Sequence, residues 1–215
     1  MRNRWLIALA AIGLHISIGS VYAWSVLTRP IMADMGFTMS QTTWTFSLAI
    51  LMLGLSAGFL GSFAEKIGPK KSGLLSMVFW VAGLFGTAYA LSIHNLTLLY
   101  LFYGIIGGIG LGIGYITPVS TLVKYFPNRP GFATGLAIMG FGFASLIAGP
   151  LMQFLVAQVG LVNNFIILGI IYLVVMGASS LYLKAPQPKQ PPRTTKDKSA
   201  MYVHTHGMLA NDAMK

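Results

Sequence analysis

His15 falls inside a long apolar stretch and is the one side chain in such a stretch whose type titrates near neutrality. An ionisable group at that depth is either a neutral packing histidine or a cavity-lining partner for a proton or an anion. Tyr22 follows seven residues later, nearly two helical turns, so the two side chains leave the same face. Trp24 lies two residues further and points elsewhere, toward an interfacial belt or toward a third contact in the same cavity. Tyr115 precedes Lys124 by nine residues, roughly 13 to 14 Å along a helix, which sets its ring well inside a bilayer. The side chains of hydrolytic chemistry are scarce. Carboxylates occur only at Asp34, Glu65, Asp197 and Asp212, all outside the apolar stretches, and the chain has no Cys. That excludes paired-acid catalysis, thiol nucleophiles, thiolate metal sites and disulfides. His204-x-His206 has too few companions for a metal site. An enzyme is not expected, nor a cofactor or a bound metal.

The elements that hold these residues are set by lipid. Of 215 residues 55% are hydrophobic and 8% charged, and the mean hydropathy is +0.73, far above that of a water-soluble domain. About 20 apolar residues in a helix cross the hydrocarbon. Six stretches qualify, at 5–27, 43–63, 73–92, 96–120, 132–156 and 163–183, and predict an all-α polytopic bundle over 1–184. The first run is too long for a signal peptide and lacks a small-residue cleavage site, so it is read as a retained helix. The formal charge of +10 sits between the spans instead of on one basic face, which points to membrane orientation and away from nucleic acid. With the N terminus cytoplasmic, thirteen of the fourteen Lys and Arg lie inside and Arg29 alone outside, so both termini are expected in the cytoplasm. Residues 185–215, rich in Pro, Lys, Gln and Thr, read as a cytoplasmic linker, with Met208 to Lys215 able to begin an amphipathic helix.

Helices in lipid associate through small residues that let backbones approach. Gly104, Gly108 and Gly112 repeat at four-residue spacing in the fourth span, with Gly110 and Gly114 beside them. Gly54 and Gly58, Gly131 and Gly135, and the Gly149-Pro150 pair mark further expected crossings. Pro118 and Pro150 each remove a backbone donor and open the choice between a static kink and a working hinge.

The loop after the second span reads Gly61-Ser-Phe-Ala-Glu65-Lys66-Ile-Gly68-Pro69-Lys70-Lys71. It resembles the G-x-x-x-D-[RK]-x-G-x-[RK]-[RK] signature of the major facilitator superfamily, at the position between second and third helices where that family carries it. Glu65 stands where Asp is commoner. Gly19-Ser20-Val21-Tyr22-Ala23-Trp24-Ser25, and Lys124-Tyr125-Phe126-Pro127-Asn128-Arg129 after the fourth span, resemble the oxalate/formate antiporter branch, which includes pyruvate and lactate carriers. In the second motif Asn128 and Pro130 depart from the family's acid-then-basic pattern, which puts the cytoplasmic gate salt bridges in doubt and not the fold.

The resemblance implies twelve spans in two halves that rock about a central substrate, of which this chain supplies the N-terminal six, with the tail Met208 to Lys215 similar to the segment before a seventh span. It implies a bacterial inner membrane and a secondary carrier of small carboxylates, an antiporter or proton symporter. It places Tyr22 and Tyr115 at aromatic cavity positions, where a hydroxyl could donate to a carboxylate oxygen while the ring forms the wall; plain packing is the other reading of both. His15 and Trp24 follow as further candidates. No span holds Lys or Arg, so fixed positive charge for an anion is expected from the missing C-terminal half or a second chain. The competing expectation is a transport-inactive fragment, or an interaction module that pairs with a full-length carrier.

Overall fold

In hydrocarbon every backbone N–H and C=O must find a partner within the protein, and a helix satisfies nearly all of them locally. The computed structural model, which describes residues 3–186, is accordingly helical, with no strand among the described residues. Five helices are long and apolar enough to cross a membrane: Arg4–Met35, Met39–Ile67, Pro69–Ser92, Leu96–Tyr125 and Pro130–Tyr182. Arg2, most of the expected linker, His204, His206 and the Met208–Lys215 segment lie outside the described residues.

Local chemistry sets the helix ends. Asn3 Oδ1 accepts from Trp5 N at 2.9 Å, and Asn95 Oδ1 from Leu98 N at 3.0 Å. Thr38 and Gln41 form a reciprocal capping box at the start of the second helix. Gly36 closes the first helix in the left-handed region at φ +67°. Gly68 (φ +82°, ψ 162°) turns the chain between second and third helices, and Pro69 opens the third.

The fifth helix has 53 residues, far more than one crossing needs, and its backbone leaves helical geometry at Gly160 (φ +84°, ψ 172°). The chain reverses there. Along the first arm Gly140 lies by Ile12 and His15, then Gly149 by Val26; along the second arm Phe165 lies by Trp24, then Ser179 by Gly13. One arm therefore climbs beside the first helix and the other descends it. The apolar stretches at 132–156 and 163–183 lie one on each arm.

The first helix occupies the middle of the bundle. Its face is set against both arms of the fifth, against the fourth through Ile18 and Gly114, and against the third through Leu14 and Gly73. Halfway along, Ser20–Ala23 tightens into a 3-10 turn, where Ser20 Oγ donates to Ser17 O at 2.7 Å and Ser17 Oγ to Gly13 O at 2.9 Å. Such hydroxyl back-bonds compete with the helix ladder and bend it. The fourth helix carries the complementary irregularity, a π-helical stretch at Tyr100–Gly107.

Glycines let the fourth helix lie between second and third. A Cβ on Gly104 would come within 2.9 Å of Leu48 Cβ, on Gly108 within 2.8 Å of Ala49 O, and on Gly112 within 2.8 Å of Ala57 N. On the opposite side a Cβ on Gly110 would meet Trp80 N at 2.6 Å. Hydroxyls tie the seams, with Ser76 Oγ donating to Gly110 O at 2.7 Å and Ser72 sharing a 2.5 Å hydrogen bond with Thr117.

The expected crossing at Gly54 and Gly58 is corrected. A Cβ on either would meet no atom within 4 Å, because the second helix turns Ala49, Leu53 and Ser56 toward the fourth and these glycines away from it. Gly131 and Gly135 also face open space, while Gly149 makes ordinary contact with Val26 at 3.7 Å and Pro150 is exposed.

Candidate functional site: an aromatic wall beside His15

Four helices contribute to one aromatic cluster. Tyr22, on the 3-10 turn, remains 44% exposed, so its ring edges the open face of the bundle. Its ring packs edge-on to Phe141 of the first arm at 5.2 Å and near Phe46 of the second helix at 6.4 Å. Tyr115 of the fourth helix also packs edge-on to Phe141, at 5.1 Å. His15 completes the series, stacked on Tyr115 at 5.6 Å with 22° between planes and 5.7 Å from Phe141. Such edge and offset contacts are the geometries that ring quadrupoles favour.

Close backbone approach makes the cluster possible. Gly19 sits directly against the first arm, where an added Cβ would lie 2.7 Å from Ala144 Cβ and would collide with the Phe141 carbonyl. Any larger residue at Gly19 pushes Phe141 away from Tyr22.

His15 is fully buried, and both ring nitrogens are engaged. Nδ1 lies 2.6 Å from Ala137 O on the fifth helix and Nε2 lies 3.0 Å from Tyr115 O on the fourth. His15, Tyr22 and Tyr115 are thus brought together. Trp24 is not. It is 3% exposed, its Nε1 donates to Thr42 O at 3.1 Å, and its ring lies 4.3 Å from Tyr103 in the interior. It therefore reaches neither the wall nor a lipid interface, and both expectations for it are corrected: a large ring two positions from Tyr22 rotates into the seam between first, second and fourth helices.

Phe141 is the hub that sequence reasoning missed. It sits among apolar neighbours in an apolar stretch, and nothing in its spacing separates it from Phe143, which is 57% exposed on the same arm. Gly19 was the available signal, as a small residue four positions from His15 on the helix that Phe141 approaches.

At the far end of the bundle lie the residues of the expected loop motif. Gly61 admits Ile116, whose Cδ1 would be 2.9 Å from a Cβ there. Glu65 pairs with Lys124 at 3.5 Å, both about half exposed, an arrangement worth about 0 to 1 kcal/mol in water. Lys66 ends the second helix, where a cation is favoured, but Lys70 and Lys71 occupy the first turn of the third, where the helix dipole opposes them. Local helix electrostatics does not explain those two lysines. The same end holds Arg4, over the Phe126 ring at 5.7 Å, and Lys184, whose carbonyl accepts from Tyr125 Oη at 2.9 Å. Among the described residues no group of three or more His, Asp or Glu could hold a metal.

An all-α bundle of long apolar helices, charged at its ends and lined by an uncharged aromatic wall, defines a polytopic membrane protein. The family model described as Major Facilitator Superfamily matches residues 7–210, and the chain belongs to that family, one of transporters and not of enzymes. Among its relatives is an "Uncharacterized MFS-type transporter YhjX" of Escherichia coli (strain K12), 34% identical over 90% of this chain and 47% of that protein. The "Monocarboxylate transporter 14" of Homo sapiens is 29% identical over 79% of the chain and 33% of its own length. The "Oxalate:formate antiporter" of Oxalobacter formigenes is 27% identical over 79% of the chain and 40% of its own length. The chain thus spans about half or less of the relatives it matches.

Proposed function

We propose that this chain forms one six-helix half of a secondary active carrier for small carboxylates of the oxalate, formate, lactate or pyruvate type, working by alternating access. The observation that carries this reading is the wall of Tyr22, Phe46, Phe141 and Tyr115, built from four helices and reaching the open face of the bundle at Tyr22. Ring edges and tyrosine hydroxyls suit a small planar anion, with the hydroxyls donating to its oxygens. The names of the monocarboxylate and oxalate:formate relatives support the same substrate class. Because the apolar spans hold no Lys or Arg, the neutralising charge comes from a second six-helix unit facing Tyr22, and substrate sits between the two. The end carrying Arg4, Lys66, Lys70, Lys71, Lys124 and Lys184 faces the cytoplasm by the positive-inside bias, in a bacterial inner membrane.

The test is uptake of labelled oxalate, formate, lactate and pyruvate into proteoliposomes, with the chain alone and with a matching C-terminal half. Uptake that requires the second half supports the reading. Uptake by the chain alone would mean that a second copy completes the cavity. No uptake from either preparation, with folding verified, would favour an inactive fragment or an interaction module.

A further inference from the structure

Neutral imidazole offers one N–H donor and one lone-pair acceptor. At His15 both nitrogens face acceptors: Ala137 O at 2.6 Å from Nδ1 and Tyr115 O at 3.0 Å from Nε2. A carbonyl oxygen cannot donate, so neither neutral tautomer satisfies both contacts. Only the doubly protonated ring does, and its charge then lies stacked on the Tyr115 ring and close to Phe141, where aromatic faces stabilise a cation.

We propose that His15 is a proton-binding site that bridges the first helix to the fourth and fifth, its two nitrogens clamping Tyr115 O and Ala137 O in the protonated form. On losing the proton the ring turns a lone pair toward one of those carbonyls, and that contact opens. Proton occupancy thereby sets how the first helix packs against the fourth or the fifth, directly behind the aromatic wall. The proton is the ligand assigned here, and the assignment stands whether or not the wall takes carboxylates.

The surroundings leave His15 as the group that changes charge. The titratable side chain against it is Tyr115 of the fourth helix; Tyr22 of its own helix lies on the far side of the cluster, against Phe141, and Tyr172 of the second arm lies by Ser20. The first arm contributes Ala137, Gly140 and Phe141, none of which titrates. Among the described residues the Asp, Glu, Lys and Arg side chains all lie toward the helix ends or in the loops.

The experiment uses the chain in lipid with His94→Asn, His204→Gln and His206→Gln, so that His15 is the one histidine left. His94 is exposed with φ +53°, a conformation that asparagine accepts. Nitrogen-15 spectra of the labelled ring, recorded from about pH 5 to pH 8, bracket the usual imidazole range. The expected result is two protonated ring nitrogens at the acid end, converting to a single N–H as pH rises. The hydrogen-bonded shift of Nδ1 should be lost when Gly140→Leu, whose added side chain starts against Ile12 and His15, pushes the first arm and its Ala137 carbonyl off the ring. A neutral ring throughout, or a doubly protonated ring that does not respond to pH, overturns the proposal. Neither readout depends on transport, so failure here and failure of the carrier reading are separate results.

Discussion

The first and second helices are similar in length and apolar character but differ in what surrounds them. In the most apolar stretch of the first, 61% of residues are buried, against 11% in the second. The first is broken by a 3-10 turn, touches all four of the other helices and carries His15 and Tyr22; the second is regular, neatly capped, and holds to its neighbours mainly by one small-residue stripe along the fourth. Hydropathy therefore marks what can enter lipid and not what forms the core. Polar and irregular features gather where a helix is enclosed by protein, since only there are freed backbone groups and buried side chains given partners.

Substitutions that exchange the environments of the two helices sharpen this contrast. The largest expected effect is at Gly110, where leucine would drive a side chain into the Trp80 backbone; overpacking of about 3 kcal/mol or more is expected, read as loss of reversible unfolding in mixed micelles. Gly54→Leu, with open space around it, should change stability by less than about 0.5 kcal/mol in the same assay. Equal losses at the two sites would mean that the second helix packs on both faces. His15→Ala removes the ring and both of its contacts, and about 2 to 4 kcal/mol should be lost in denaturant titrations followed by circular dichroism. Thr38→Ala removes the capping box of the second helix and should cost about 1 kcal/mol, seen as faster amide exchange confined to its first turn. Glu65→Gln is expected to change stability by no more than about 1 kcal/mol and to lose even that effect at high salt.

The long apolar helices, the charged ends and the turn at Gly68 were legible because each has a local cause: hydropathy, lysine placement, and a backbone conformation that glycine accepts. The glycine ladder of the fourth helix was legible for a similar reason, since close spacing of small residues has few other uses in lipid. Gly54 and Gly58 show the limit. Their spacing is equally good, but around them the helix is apolar on every side except at Ser56, so it lacks a polar face to mark which side meets the fourth helix. The same absence hid Phe141 and Phe46 and left Trp24 open between belt and cavity. Pairings between helices decide those positions, and no single stretch of sequence contains them. His15, Tyr22 and Tyr115 stood out as candidates because a titratable or hydroxyl-bearing side chain in lipid is costly enough to require a reason, and they share one cluster.

The most direct test of the aromatic wall is uptake by the chain co-reconstituted with its complementary half, comparing Phe141→Leu with Phe143→Leu after both are shown to be folded and monodisperse. The arrangement predicts that the Phe141 variant loses at least about tenfold in initial rate, equivalent to about 1.4 kcal/mol, while the exposed Phe143 variant transports as the parent does. Equal rates for the two variants would contradict the wall as the substrate surface.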